Sequence, residues 1–203
     1  MIKVFIVDDH AVVRMGLKAT LPLEGDIAIA GEASTGDGAA EAFLASDADV
    51  CLLDIRLPGK DGIAVLKEIV AARGNAKVMM LTTSEADNDV YEALNAGARG
   101  YVLKDRDADD ILKAIRLVAG GAKYIPDAVK ELYRERQLVP DPSPKEREVL
   151  DFLATGLSNE QIALKMGISV DGVKMHVKHL LVKFDAISRT HLASIALKRG
   201  FVK

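Results

Sequence analysis

The chain has 203 residues, 49% of them hydrophobic and 28% charged, and a formal net charge of −3. That size and apolar content allow a buried core in one large domain or two small ones. The lone cysteine, Cys51, excludes an intramolecular disulfide, no apolar run reaches the ~20 residues of a membrane span, and Met1–Val7 lacks the basic and long apolar regions of a signal peptide.

These features read as a cytoplasmic protein that keeps no membrane partner. Cys51, inside the apolar run Val50–Leu53, reads as a small buried hydrophobe. Aromatics are 4% and Trp is absent, so the core must be aliphatic. The charge is uneven. Residues 1–142 hold 17 Lys+Arg against 24 Asp+Glu, and residues 143–203 hold 10 against 6. An acidic part followed by a basic one suggests two domains, the second suited to a polyanion.

The first ~120 residues alternate between short apolar runs and amphipathic segments. Strands are predicted at Ile2–Val7, Ile27–Gly31, Val50–Leu53, Val78–Thr82 and Gly100–Leu103. Each is apolar almost throughout, as in parallel strands covered on both faces. Helices are predicted near 10–22, 37–46, 61–73, 86–96 and 107–119, the last carrying Ile111, Leu112, Ile115 and Val118 at helical spacing before Gly120–Gly121. Five such units imply an α/β doubly wound, five-stranded parallel sheet of the flavodoxin-like class.

A further helix is expected at 127–137, followed by Pro140, Pro142 and Pro144, which no regular element accommodates. The rest is helical. Ser143 before Pro144, Ser158 with Gln161, Ser169 and Ser188 read as helix starts, and Gly156, Gly167 and Gly200 as stops. The expected division is a first domain over 1–121, a linker over 122–142 with a probable helix, and a small all-α domain over 143–203.

Function in a doubly wound sheet gathers at the carboxyl ends of the strands. There the sequence places Asp8–Asp9, Asp54, Thr82–Thr83 and Lys104. Three carboxylates at neighbouring strand ends repel one another unless a cation joins them, and hard oxygen ligands suit Mg²⁺ or Mn²⁺. One carboxylate can then take a phosphoryl group as an acyl phosphate. Lys104 would hold a phosphoryl oxygen as a point charge and Thr82 would hydrogen-bond another. A nucleotide site on this topology needs a phosphate-friendly first loop, but that loop opens with two aspartates. The isolated Gly36–Asp37–Gly38 follows the second strand and reads as a helix-entry turn.

The acidic pair Asp8–Asp9, the run Asp54–Ile55–Arg56–Leu57–Pro58–Gly59–Lys60–Asp61–Gly62, Thr82, and Lys104 after Gly100–Tyr101–Val102–Leu103 together resemble a CheY-like receiver domain. The resemblance implies that Asp54 accepts a phosphoryl group from a sensor histidine kinase. It also implies that Asp9, Asp54 and the backbone carbonyl of Arg56 bind Mg²⁺ with help from Asp8, and that Thr82 and Tyr101 form a switch pair in which Tyr101 turns inward. Lys60 stands where many relatives carry Met, and Arg56 and Ser84, two residues after Asp54 and Thr82, occupy positions that resemble those tuning phosphoryl lifetime in the family.

In the helix from Ser169, apolar Val173, Val177, Leu180, Leu181 and Phe184 form one stripe. Lys174, Met175 and Lys178 fall on a second side, and His176, His179 and Lys183 on a third. With a short helix before it, this suits a helix-turn-helix whose second helix enters a major groove. Taken alone, the same lysines also suit an ordinary solvated face. His176 and His179 could hold a metal, but no cysteine or acidic residue nearby in sequence completes a site.

Ser143–Pro144–Lys145–Glu146–Arg147–Glu148–Val149–Leu150, Gly156–Leu157–Ser158–Asn159–Glu160–Gln161–Ile162–Ala163 and Val173–Lys174–Met175–His176–Val177–Lys178–His179 resemble the LuxR-type helix-turn-helix. The whole chain is similar to NarL/FixJ-type response regulators. The resemblance implies a regulator that binds double-stranded DNA when phosphorylated, as a homodimer. It sets Lys174, Met175 and Lys178 toward bases, and His176, His179 and Lys183 toward phosphates. It implies no enzyme beyond slow self-dephosphorylation. Two other readings stay open: a phosphorylation-independent DNA-binding regulator, and a phosphatase or phosphotransferase, for which no acidic residue stands two positions after Asp54.

Overall fold

The computed structural model describes residues 1–202. The chain forms two compact units: Met1–Glu85 with Val90–Glu131, and the segment Ala86–Asp89 with the chain from Leu132 onward.

In the first unit, β1 (Ile2–Val7), β2 (Ile27–Ala33), β3 (Val50–Leu53), β4 (Val78–Thr82) and β5 (Gly100–Leu103) form one sheet. The order is β2-β1-β3-β4-β5 and every pairing is parallel. This is the doubly wound, five-stranded arrangement expected from the apolar runs. The helices are α1 (Ala11–Thr20), α2 (Ala39–Ala45), α3 (Gly62–Ala72), α4 (Asp87–Asn95) and α5 (Ala108–Ala119), with a 3-10 turn at Leu21–Glu24. Alternate strand residues serve opposite faces. Val4, Ile6, Leu52, Leu81 and Val102 join Leu17, Leu112, Ile115 and Val118 in one core layer. Phe5 meets Phe43 edge to face at 6.1 Å on the other side.

β2 runs two residues beyond its apolar stretch, through Glu32 and Ala33. It is an edge strand, so Glu32 keeps its charge outside the core while its backbone still pairs. The register slips between Val4 and Phe5, leaving Ala30 without a partner and setting Gly31 opposite Phe5. A Cβ at Gly31 would lie 2.7 Å from the Phe5 ring. Past α5 the chain returns to the sheet. Tyr124 forms a parallel bridge with Gly100, and its carbonyl accepts from the Tyr101 N–H at 3.0 Å.

Helix α6 (Asp127–Gln137) occupies the expected segment. Then come α7 (Pro144–Ala154), α8 (Asn159–Met166), α9 (Val170–Lys183) and α10 (Arg189–Lys198). Ser143, Ser158, Ser169 and Ser188 cap α7, α8, α9 and α10, each accepting a backbone N–H in the first turn. Ser143 with Glu146 and Ser158 with Gln161 are complete capping boxes. Val149, Leu150, Leu153, Ile162, Val173, Leu180, Phe184, Leu192 and Ala196 make the core of this all-α part.

Candidate functional site

Backbone pairing carries one residue past each of three strands and so fixes the acidic site. Asp8 N–H donates to the Ala33 carbonyl at 3.2 Å, Asp54 N–H to Val7 at 2.9 Å, and Lys104 N–H to Thr82 at 2.9 Å. Asp8 and Asp54 are buried, with 1% and 3% of their surface exposed. Asp9 reaches solvent. Lys104 Nζ lies 2.7 Å from Asp8 Oδ2 and 2.5 Å from Asp54 Oδ2. Burial works to lower the Lys104 pKa, but its bonds to Asp54 and Asp8 outweigh that and raise it. The other oxygen of Asp54, Oδ1, accepts the Ile55 N–H at 2.7 Å and stands 3.4 Å from the Arg56 N–H.

The β3–α3 loop explains its own sequence. Asp61 caps α3 by accepting the Ala64 N–H at 2.9 Å. Gly62 donates to the Ile55 carbonyl at 2.9 Å, and a Cβ there would stand 1.9 Å from the Asp54 carbonyl oxygen. Only glycine lets the helix start close beneath the acidic residue. Gly59 turns the loop at φ +76.

Thr82 is buried at the end of β4, and its hydroxyl accepts the Ser84 N–H at 3.2 Å. Tyr101 already lies inward, with none of its surface exposed, and its hydroxyl donates to the Ser84 carbonyl at 2.8 Å. Ser84 touches both members of the pair through its own backbone.

Asp8, Asp9 and Asp54 come together as expected, and His10 joins them. Each offers one ligand atom, all within 4.8 Å of one another. This donor set fits a small divalent cation. The sequence reading passed over His10, although it directly follows the acidic pair. Arg14, one turn into α1, donates to the Asp8 carbonyl at 2.6 Å.

On α9, Lys174, Met175, Lys178 and His179 are exposed and His176 is half-buried. Lys174 pairs with Asp171 at 3.0 Å on the surface. Lys183 is different. Its Nζ lies 2.7 Å from Glu146 Oε2 and 3.0 Å from the Asp141 carbonyl. Its charge is engaged inside the helical unit, by a partner that the sequence order of α9 does not show. The reason is tertiary: Glu146, buried on α7, needs a cation. Burial would raise the Glu146 pKa, but the bonds from Lys183 and the Ser143 N–H hold it below the usual range.

A doubly wound unit with an acidic strand-end pocket, followed by a helix-turn-helix, defines a regulator built from a receiver and a DNA-binding module. Residues 4–116 match the response regulator receiver domain and residues 143–196 the luxR family of bacterial regulatory proteins. The chain belongs to the two-component response regulators of the NarL/FixJ type, and it is a DNA-binding transcription regulator rather than a classical enzyme. It is 38% identical to the nitrate/nitrite response regulator NarP of Escherichia coli, across 97% of this chain and 95% of that one. It is 36% identical to a nitrate/nitrite response regulator homolog of Haemophilus influenzae, across 93% and 92%. Among solved structures it is similar to Salmonella enterica RcsB bound to a promoter in the presence of the phosphomimetic BeF3⁻, with TM-score 0.73, 26% identity and coverage of 97% and 98%. Among the described residues no helix is long and apolar enough to cross a membrane.

Proposed function

We propose that this chain is a phosphorylation-dependent transcriptional regulator that a sensor histidine kinase activates at Asp54 in the cytoplasm. The observation that carries this reading is the buried Asp54 carboxylate, bonded to Lys104 at 2.5 Å within the Asp8–Asp9–His10–Asp54 cluster. An Asp54 carboxylate oxygen forms the new P–O bond as the bond from phosphorus to the kinase imidazole breaks, and the electron pair leaves with the imidazole. Asp9, Asp54 and the Arg56 carbonyl, with Asp8 assisting, would hold Mg²⁺ or Mn²⁺, which would supply charge neutralisation for the phosphoryl oxygens.

Lys104 keeps one phosphoryl oxygen, and the Thr82 hydroxyl donates to another. Moving Thr82 disturbs Ser84, to which Tyr101 is bonded, and this transmits the change. Slow hydrolysis of the acyl phosphate resets the switch. The modules are a receiver over 1–121, a linker over 122–142 and a DNA-binding domain over 143–203. Phosphorylation favours a homodimer whose paired α9 helices read half-sites of a duplex. Lys174, Met175 and Lys178 face bases, and His176 and His179 lie nearer phosphates.

Gel filtration with light scattering tests the reading. Beryllofluoride with Mg²⁺ should convert monomer to dimer, and Asp54→Ala should abolish the shift. A dimer that forms equally well in D54A would overturn phosphorylation dependence and favour a constitutive regulator.

A further inference from the structure

Arg14 lies outside the acidic cluster, yet it grips the backbone on which two of the carboxylates stand. Its N–H donates to the His10 carbonyl at 3.1 Å, at the first turn of α1. Side chains on a helix lean toward its N-terminus, so the guanidinium reaches back over the β1–α1 connection. Nη1 donates to the Asp8 carbonyl at 2.6 Å, a length that suits a charge-assisted bond. Nε stands 3.5 Å from Glu32 Oε2 on β2, and the Arg14 side chain is only 17% exposed. The Asp8 carbonyl and the Asp9 N–H belong to one planar peptide unit. Holding that carbonyl therefore sets the direction in which the chain carries Asp9 away from the strand. The Asp8 N–H is held by the carbonyl of Ala33, the residue after Glu32. The end of the edge strand β2 thus anchors Asp8 at both backbone groups, the amide directly and the carbonyl through Arg14.

We infer that Arg14, oriented by Glu32, is a positioning residue of the acidic pocket, and that it fixes the Asp8–Asp9 peptide so that both carboxylates face one divalent cation. The inference rests on the reading of the aspartate pocket as a metal site. Groups that orient metal-holding side chains from outside change metal affinity roughly 10- to 100-fold when they are lost. Glu32 then has a purpose on an otherwise apolar strand. It holds the guanidinium from the far side, and it shares its other oxygen with Lys18 at 2.7 Å.

The test is Mg²⁺ affinity of the full chain by calorimetry, with urea unfolding of the same metal-free samples. Arg14→Met keeps an unbranched stem and removes the donors, and it should weaken Mg²⁺ binding roughly tenfold. Arg14→Lys keeps a cationic donor and should recover most of that loss. Glu32→Gln should weaken binding in the same direction by a smaller factor. Arg116→Met is the control for lost stability, because Arg116 pairs with Glu24 and Asp26 before β2, at the opposite end of the sheet. It should leave Mg²⁺ affinity within about twofold. Mg²⁺ bound by R14M as tightly as by wild type, or weakened equally in R14M and R116M, overturns the role of Arg14 and leaves the aspartate pocket standing. R14K no tighter than R14M also overturns it. E32Q at wild-type affinity overturns the part given to Glu32. Mg²⁺ binding unaffected by both D9N and D54N overturns the pocket itself, and this inference with it.

Discussion

Lys104 Nζ stands within hydrogen-bond distance of both Asp8 and Asp54, bridging the ends of β1 and β3 from the end of β5. Its ammonium offsets two carboxylates that are nearly out of water. Lys104→Met should destabilise the chain by about 3 kcal/mol in urea unfolding, because two buried charges lose their partner. Added Mg²⁺ should recover part of that loss. The folded pKa of Lys104 is raised, so its contribution is complete below the ordinary lysine value of about 10.4 and fades as pH climbs through the higher folded value. The gap between wild type and K104M should stay constant at neutral pH and shrink only in strong alkali.

Glu146 gives the opposite sign. Its folded pKa is lowered, so its stabilisation is present above the ordinary glutamate value of about 4.3 and disappears as pH falls through the lower folded value. Glu146→Gln should lower stability by roughly 1–3 kcal/mol at pH 7. Thermal melts of the two proteins should converge only as pH falls through that lower folded value.

Two lysines of α9, Lys178 and Lys183, separate by salt dependence. Lys178 is exposed and Lys183 is tied to Glu146 and Asp141. Lys178→Ala should reduce the slope of log K against log salt by about one and leave the melting temperature unchanged. Lys183→Ala should lower the melting temperature and leave the slope nearly intact. Fluorescence anisotropy with a duplex at several salt concentrations distinguishes them.

Gly62→Ala puts a methyl 1.9 Å from the Asp54 carbonyl oxygen. The start of α3 must then move, at a cost of about 1–3 kcal/mol. Because that shift is felt at Asp54, metal affinity should drop along with stability, as calorimetry with Mn²⁺ would show. Gly74, with nothing within 4 Å of its Cβ position, serves as the control. Gly74→Ala should leave metal affinity unchanged.

The strands, the acidic pair, Asp54 and Lys104 were legible because parallel strands write themselves as short apolar runs and their ends mark the site. The serine caps were legible because capping is a local code of three or four residues. What stayed hidden depends on distant partners. Glu32 breaks the apolar pattern of β2 but costs nothing at an edge. Lys183 sits on a side of α9 that looks solvent-facing until α7 brings Glu146 beneath it. Tyr101 reads as an aromatic switch, yet nothing near it in sequence reveals that Ser84 already holds its hydroxyl. His10 follows the aspartates directly, but only the turn into α1 swings its ring back toward them.

The bridge between Tyr124 and Gly100 protects the outer rim of β5. Without it, the Tyr101 N–H and the Arg99 carbonyl would lose their partner in Tyr124 and offer a template for strand addition by another molecule. A receiver fragment cut at residue 121 should therefore be prone to aggregation in concentrated solution, whereas one ending at 131 keeps its rim covered. The short tail after α5 thus acts as a guard against self-association through the sheet.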